Sequence, residues 1–357
     1  MKPISIVSLA AFAGTLMSTA ALAHNENYKS HGAASLASCA PSSPEHTPAA
    51  MAASANGFLK ILTEEQRQLA QYELDSPERY EWTNVPARGD VGGLRLGDLE
   101  TEQMQGFCDL LASLLSGYGF EKIRSIMQGD DLRSVIDGEP NTGVGIEAFR
   151  VSLFGDPSET SRWGVQLDGH HIALNFTLEG EHYSMSPSFI GTYPKEFTVA
   201  GTKLAPMAGE VDLAYQFLDS LTDEQRADAV VSDTRGEIQT GPGKDGVVPA
   251  QDGLNAEALN GTQTGLLLAL ASQWLDVMPP PHARATRLRF LDTIDSTTFS
   301  WSGSTEQGKD ISYRIQGPSI IIEFANDLRG GAAEGGDPTN HIHTMYRDIE
   351  NDYGQDW

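Results

Sequence analysis

The chain has 357 residues, a mass of 38.5 kDa and a formal net charge of −25, with 49 acidic against 24 basic side chains. Its length allows one large domain or two ordinary ones. The charge excludes nucleic acid and anionic membrane surfaces as partners, because their phosphates would be repelled. Two cysteines, Cys39 and Cys108, exclude a thiolate zinc cluster, so any metal must be held by histidine and carboxylate.

The chain opens with Lys2, an apolar run from Ile4 to Met17, and Ala21-Leu22-Ala23, the small-x-small pattern that a signal peptidase cuts. Residues 1–23 therefore read as a secretory signal peptide, too short in apolar length to span a bilayer, and the protein as secreted or periplasmic. Residues 24–56 are rich in Ala, Ser, Pro and His without a period, the composition of a flexible leader. Cys39 falls in that leader, so no stabilising disulfide to Cys108 is expected.

From Phe58 the pattern becomes globular. In "FLKILTEEQRQLAQYEL" Thr63 stands three residues before Gln66, a capping-box start for a helix. "LETEQMQGFCDLLASLLSGYG" places Leu99, Met104, Phe107, Leu110, Leu111 and Leu114 on one stripe, a second helix ending near Gly117 or Gly119. A charged helical stretch follows. In it Asp130-Asp131 reads as a solvated helix face, as does Glu64-Glu65 earlier. The segments "EAFRVSLFG", "RWGVQLDG", "HHIALNFTLEG" and "EHYSMSPSFIG" then alternate apolar and polar residues between glycine turns, as antiparallel hairpins do.

The pattern then returns. "FLKILTEEQR" (58–67) matches "FLDSLTDEQR" (217–226) at seven of ten positions. "GLRLGDLETEQMQGFCDLLASLL" (93–115) lines up loosely with "GLNAEALNGTQTGLLLALASQWL" (253–275), at nearly the same offset. Within the latter, "TGLLLALASQWL" (264–275) is too short to cross a membrane and reads as a buried core helix. "MPPPHAR" (278–284) reads as a stiff exposed linker, and the strand-like "TTFSWSG", "KDISYRIQG" and "SIIIEFAND" follow. The expected fold is α+β over residues 57–357. It has two homologous halves, about 58–215 and 216–357, each a helix pair followed by antiparallel β-hairpins, packed as one pseudo-symmetric unit.

Two histidine motifs carry the candidate chemistry. In "DGHHIALNF", His170 and His171 are adjacent, so on a strand they point to opposite faces and one of them can face a given site. In "NHIHTMYRD", His341 and His343 are two apart and point the same way. One histidine of the first motif with both of the second makes three neutral nitrogen ligands for a divalent metal, zinc or copper, with a position open to water or substrate. Asp348 and Glu323 are candidates to orient a ligand or move a proton, and Arg347 to clamp an anionic group of a small-molecule substrate. The plainer alternative is that the histidines satisfy neighbouring carbonyls and that the Arg-Asp pair anchors a loop. A separate metal reading starts from His24, the first residue left by cleavage, whose amine and ring with His31 nearby suit copper. The glycine-rich "GGAAEGGD" (330–337) reads as a mobile loop just before the second histidine motif. Phosphate-loop, nucleophile-elbow, zincin and dinucleotide motifs are absent.

"RWGVQLDGHHIALNFT", "SYRIQGPSIIIEF" and "NHIHTMYRDIENDYG" resemble, in this order, the signatures of the domain-of-unknown-function family 3500, a set of exported bacterial and fungal proteins. The resemblance spans roughly residues 58–357. It implies that the hallmark blocks fall on His170 and His171, and on His341, His343, Arg347 and Asp348, with Asn351, Asp352 and Gly354 continuing the last one. It implies no reaction. The functional expectation is an exported metal-dependent enzyme, hydrolytic, with its histidine cluster where the two halves meet. A copper-dependent oxidoreductase on the same histidines and a binding module without turnover are the alternatives.

Overall fold

Short-range signals in the sequence form the helices they predict. The computed structural model describes Leu36, Cys39, Pro41 and residues 45–357 apart from 87–91, 137–142, 328–335 and 356. The expected signal peptide, the His24 and His31 copper site and most of the glycine-rich loop lie outside the described residues. Helix α1 (Pro48–Ile61) starts earlier than expected, because Thr47 accepts the Ala50 amide and Pro48 takes the first turn. It buries Met51, Ala55, Phe58 and Leu59, which corrects the flexible leader over residues 48–56. Helix α2 (Glu64–Ala70) opens on the Thr63–Gln66 capping box and runs into strand β1 (Gln71–Tyr72). After β2 (Leu94–Arg95) come α3 (Thr101–Leu114) and α4 (Gly117–Ile136).

Strands β3 (Arg150–Phe154), β4 (Trp163–Gly169), β5 (Ile172–Glu179), β6 (His182–Ser184) and β7 (Ser188–Thr192) follow, with a small hairpin of β8 (Phe197–Val199) and β9 (Thr202–Leu204). The next stretch holds α5 (Ala208–Ser220), α6 (Asp223–Ala229, capped by Thr222 and Gln225), β10 (Val230–Ser232) and β11 (Leu254–Asn255). Then come α7 (Gly261–Leu275), α8 (Pro280–Asp292), β12 (Thr298–Gly303), β13 (Ile311–Gln316), β14 (Ile320–Asn326) and β15 (Ile342–Asp348). The architecture is α+β, built on one mixed sheet in the order β1-β3-β4-β5-β7-β15-β14-β13-β12-β10. Among the described residues no helix is long and apolar enough to cross a membrane.

Strand alternation sorts side chains onto two faces. Leu174, Phe176, Ile190, Ile322, Phe324, Ile342 and Tyr346 join the helices in the main core. The opposite face carries Gln166, Asn175, Glu323, Arg314 and Arg347 and is also buried, under two irregular segments, 73–86 and 233–252. These segments satisfy the polar face. Gln166 donates to the Arg79 carbonyl (3.0 Å), Gln316 to the Pro249 carbonyl (2.6 Å), and Arg314 pairs with Asp252 (2.6 Å). Trp82, Ala173, Phe189, Met345 and Tyr353, with Ile238, form a small apolar cluster on that side.

Two further expectations are corrected. "MPPPHAR" is the start of α8, whose prolines occupy the first turn, where no amide is needed. His282 stacks on Tyr183 with ring centroids 4.4 Å apart, and burial, with His46 nearby, lowers its pKa to about 4. Cys39 and Cys108 form a disulfide with Cα atoms 6.0 Å apart, joining the segment before α1 to the buried face of α3. Such a bond is compatible with an exported protein. Because it links residues 69 apart in sequence, chain-entropy arguments give it a value of about 4 kcal/mol. A Cys39→Ser/Cys108→Ser variant is expected to lose about 2–4 kcal/mol of unfolding free energy in urea titration. Equal stability of wild type and variant would contradict the assigned pairing.

Candidate metal centre

The "GHH" motif is a turn and not a strand. β4 ends at Gly169 and β5 begins at Ile172, so His170 and His171 form the two-residue hairpin between them. His171 takes φ 69°, a left-handed conformation that histidine tolerates better than most side chains. The expectation of opposite faces is therefore corrected: the turn sets both rings side by side, centroids 3.7 Å apart. Backbone bonds hold the turn, with the His171 amide donating to the Asn84 carbonyl (3.1 Å) and the Gly191 amide to the His171 carbonyl (2.7 Å).

The "HIH" motif meets it from the other side. β7 pairs antiparallel with β15, which puts His343 opposite Gly191. His341, just before β15, and His343 share a face, with ring centroids 4.6 Å apart. The His171 and His341 Nε2 atoms lie 2.6 Å apart, and one nitrogen from each of His171, His341 and His343 lies within 4.8 Å of the others. Gly191 makes this approach possible. A Cβ there would stand 2.9 Å from His171 Cδ2, 3.0 Å from His343 Cδ2 and 2.7 Å from the Ile342 carbonyl oxygen. Phe189 packs edge-on against His343, and Tyr193 lies against His341 under the guanidinium of Arg133.

Burial sets the charge state. His171 is 1% exposed. Desolvation holds its pKa well below the usual imidazole value, and His170, His341, His343 and Arg133 add to the effect. The ring is neutral at physiological pH, as a metal ligand must be.

Two carboxylates back the cluster. Asp130 on α4 is buried; it accepts a bond from His170 Nδ1 and one from the Gly145 amide (2.8 Å), and lies 3.6 Å from His171 Nδ1. Asp327, at the end of β14, lies 3.4 Å from His343 Nδ1. At hydrogen-bond distance, as Asp130 stands to His170, a carboxylate fixes an imidazole's tautomer and leaves its other nitrogen for a ligand. The reading of Asp130-Asp131 as a solvated face is overturned for Asp130, and desolvation raises the half-buried Asp131 carboxyl to about 6. A signal was present: Phe120, Ile123, Met127 and Asp130 fall on one helical stripe, and the first three are core residues. Asp327 continues the alternation of Glu323 and Ala325 on the polar face of β14.

The other predicted site residues lie elsewhere. Arg347 is four residues along β15 from His343, about 13 Å at ~3.3 Å per residue. It pairs with Asp352 (2.5 Å) and Asp245 (3.0 Å) and donates to the Thr240 carbonyl (2.9 Å). Glu323 accepts the amides of Gln239 (3.0 Å) and Thr240 (2.9 Å) and the Thr240 hydroxyl (2.6 Å). Asp348 points to the helix side and forms an ion pair with Arg289 on α8. The structure thus brings together His170, His171, His341 and His343, and sets Glu323, Arg347 and Asp348 to anchoring the chain after β15 and the 233–252 segment.

A family model described as "Protein of unknown function (DUF3500)" matches residues 45–355. No curated protein and no solved structure matches the chain significantly.

Gly191→Ala is expected to push His171 and His343 apart and to cost about 1–3 kcal/mol of stability in urea titration, as overpacking does. Unchanged stability would contradict the close approach assigned to Gly191.

Proposed function

The chain belongs to the DUF3500 family of proteins of unknown function, and we propose that its histidine cluster is a metal centre and the protein an exported metal-dependent hydrolase acting on a small molecule. The observation that carries the reading is the convergence of His171, His341 and His343, three imidazoles on one point of the polar face, the innermost held neutral by burial. Neutral imidazole suits zinc and copper and does not suit calcium or magnesium. Nitrogens sharing a tetrahedral ion at ~2.0–2.1 Å stand about 3.3 Å apart. The 2.6 Å between two Nε2 atoms and the 4.8 Å bound for the trio bracket that value, so small ring rotations suffice.

Three protein ligands leave a position open, and a divalent metal there would lower the pKa of its bound water to about 7 and so supply a nucleophile. The chain's own residues would orient and exclude. Asp327 lies beside the His343 ring, Phe189 and Tyr193 wall the cluster, and Arg133 is the cation beside it. An anionic substrate group, assigned to Arg347 on sequence grounds, would therefore meet Arg133 instead.

A binding module without turnover is favoured by a different observation. His341 is only 8% exposed and His171 only 1% exposed, so little of the cluster meets solvent. A copper-dependent oxidoreductase would use the same ligands.

We also infer that the chain arose by duplication. The matched Thr63–Gln66 and Thr222–Gln225 capping boxes support this. So do Gln66 and Gln225, each donating 2.7 Å bonds to a backbone carbonyl, of Asp98 and of Ala258. The sheet order also reads alike from either end toward β7 and β15.

Metal analysis of protein purified from medium or periplasm is expected to find zinc or copper. A His341→Ala/His343→Ala variant should keep its circular dichroism spectrum and lose the metal. No bound metal, together with no stabilisation by added zinc or copper, would overturn the proposal.

A further inference from the structure

Resting on that metal-centre reading, we propose that Asp130, His170 and Nδ1 of His171 form a second divalent-cation position, which shares the His171 ring with the first. The donors are in place. One ligand atom from each of Asp130, His170 and His171 lies within 4.8 Å of the others. Asp130 Oδ1 faces the Nδ1 atoms of both histidines. Its second oxygen is occupied by the Gly145 amide, so the carboxylate is held in one orientation. All three side chains are buried, and a mixed imidazole and carboxylate set suits zinc or copper.

The state of His171 distinguishes this from a simple supporting role for Asp130. The two nitrogens of an imidazole point away from each other. Nε2 faces His341 at 2.6 Å, while Nδ1 is buried and makes no hydrogen bond among the described residues. Were Asp130 only an orienting carboxylate, it would accept from Nδ1 at 2.7–3.2 Å. The gap is 3.6 Å, and the same oxygen is engaged by His170. An unpartnered nitrogen, a carboxylate and a second imidazole around one point are what a cation would satisfy.

Neutral His171 carries one N–H. The first ion takes the Nε2 lone pair and leaves that proton on Nδ1. The second ion would take Nδ1 of His171, one proton would pass to solvent, and the ring would bridge both ions as an imidazolate. His170, whose Nδ1 proton faces Asp130 in the ion-free state, would bind as the other neutral tautomer, with its proton on Nε2 and no net proton change. The negative charges of the imidazolate and of Asp130 offset part of the added cation.

Titration of the full chain with copper tests this. Two ions per chain are expected by elemental analysis after gel filtration. The paramagnetic resonance signal should rise to one equivalent and fall over the second, as the bridged spins couple, with one proton released at the second step. His170→Gln and Asp130→Asn should bind one ion and show an uncoupled signal. One ion in the wild type, or two without coupling and proton release, would overturn the second position and leave the first intact. No ion at all would overturn both. Should either variant fail to fold, the wild-type coupling and proton release still decide the matter.

Discussion

The pairing of β7 with β15 is the contact on which the site depends. It sets Gly191 beside His343 and continues, through the Gly191 amide, to the carbonyl of His171. Two residues 172 positions apart in sequence thereby share one row of the sheet, with a glycine between them. Rings from either side can meet there only because no Cβ intervenes. The left-handed turn at His171 and the extended run from His341 are local features, and neither makes a site without that row.

The same face of the sheet explains the neighbours. Many of its side chains are polar, yet the face is buried, and a buried polar group must find partners. The 73–86 and 233–252 segments supply them, and Glu323, Arg314 and Arg347 are taken up by that task. Arg347 and Glu323 therefore hold the layer that covers this part of the sheet. Removing Asp352 would take a charged partner from the buried Arg347 guanidinium, a costly outcome.

Much of this was legible in the sequence where the signal is local. The Thr63 and Thr222 capping boxes, the α3 stripe and the alternating strands depend on spacings within one turn or one strand. So does the convergence of His341 and His343. What escaped depends on long-range packing. Asp130 sat on an apolar stripe, but its charge suggested solvent until a buried histidine supplied a partner. Cys39 lay in a segment of low complexity, and its pairing with Cys108 follows from the packing of buried Leu36 and Cys39 into the core. Three prolines before His282 suggested a linker because the helix-starting role of proline has the same composition. The RD pair after the histidines looked chemical because it adjoins them in sequence, whereas strand rise carries it about 13 Å away.

X-ray absorption at the metal edge of the purified protein tests the central claim most directly. The account predicts imidazole scattering from at least three nitrogens at ~2.0–2.1 Å, lost when His341 and His343 are replaced by alanine. A spectrum of oxygen ligands alone, or one unchanged by those replacements, would contradict it.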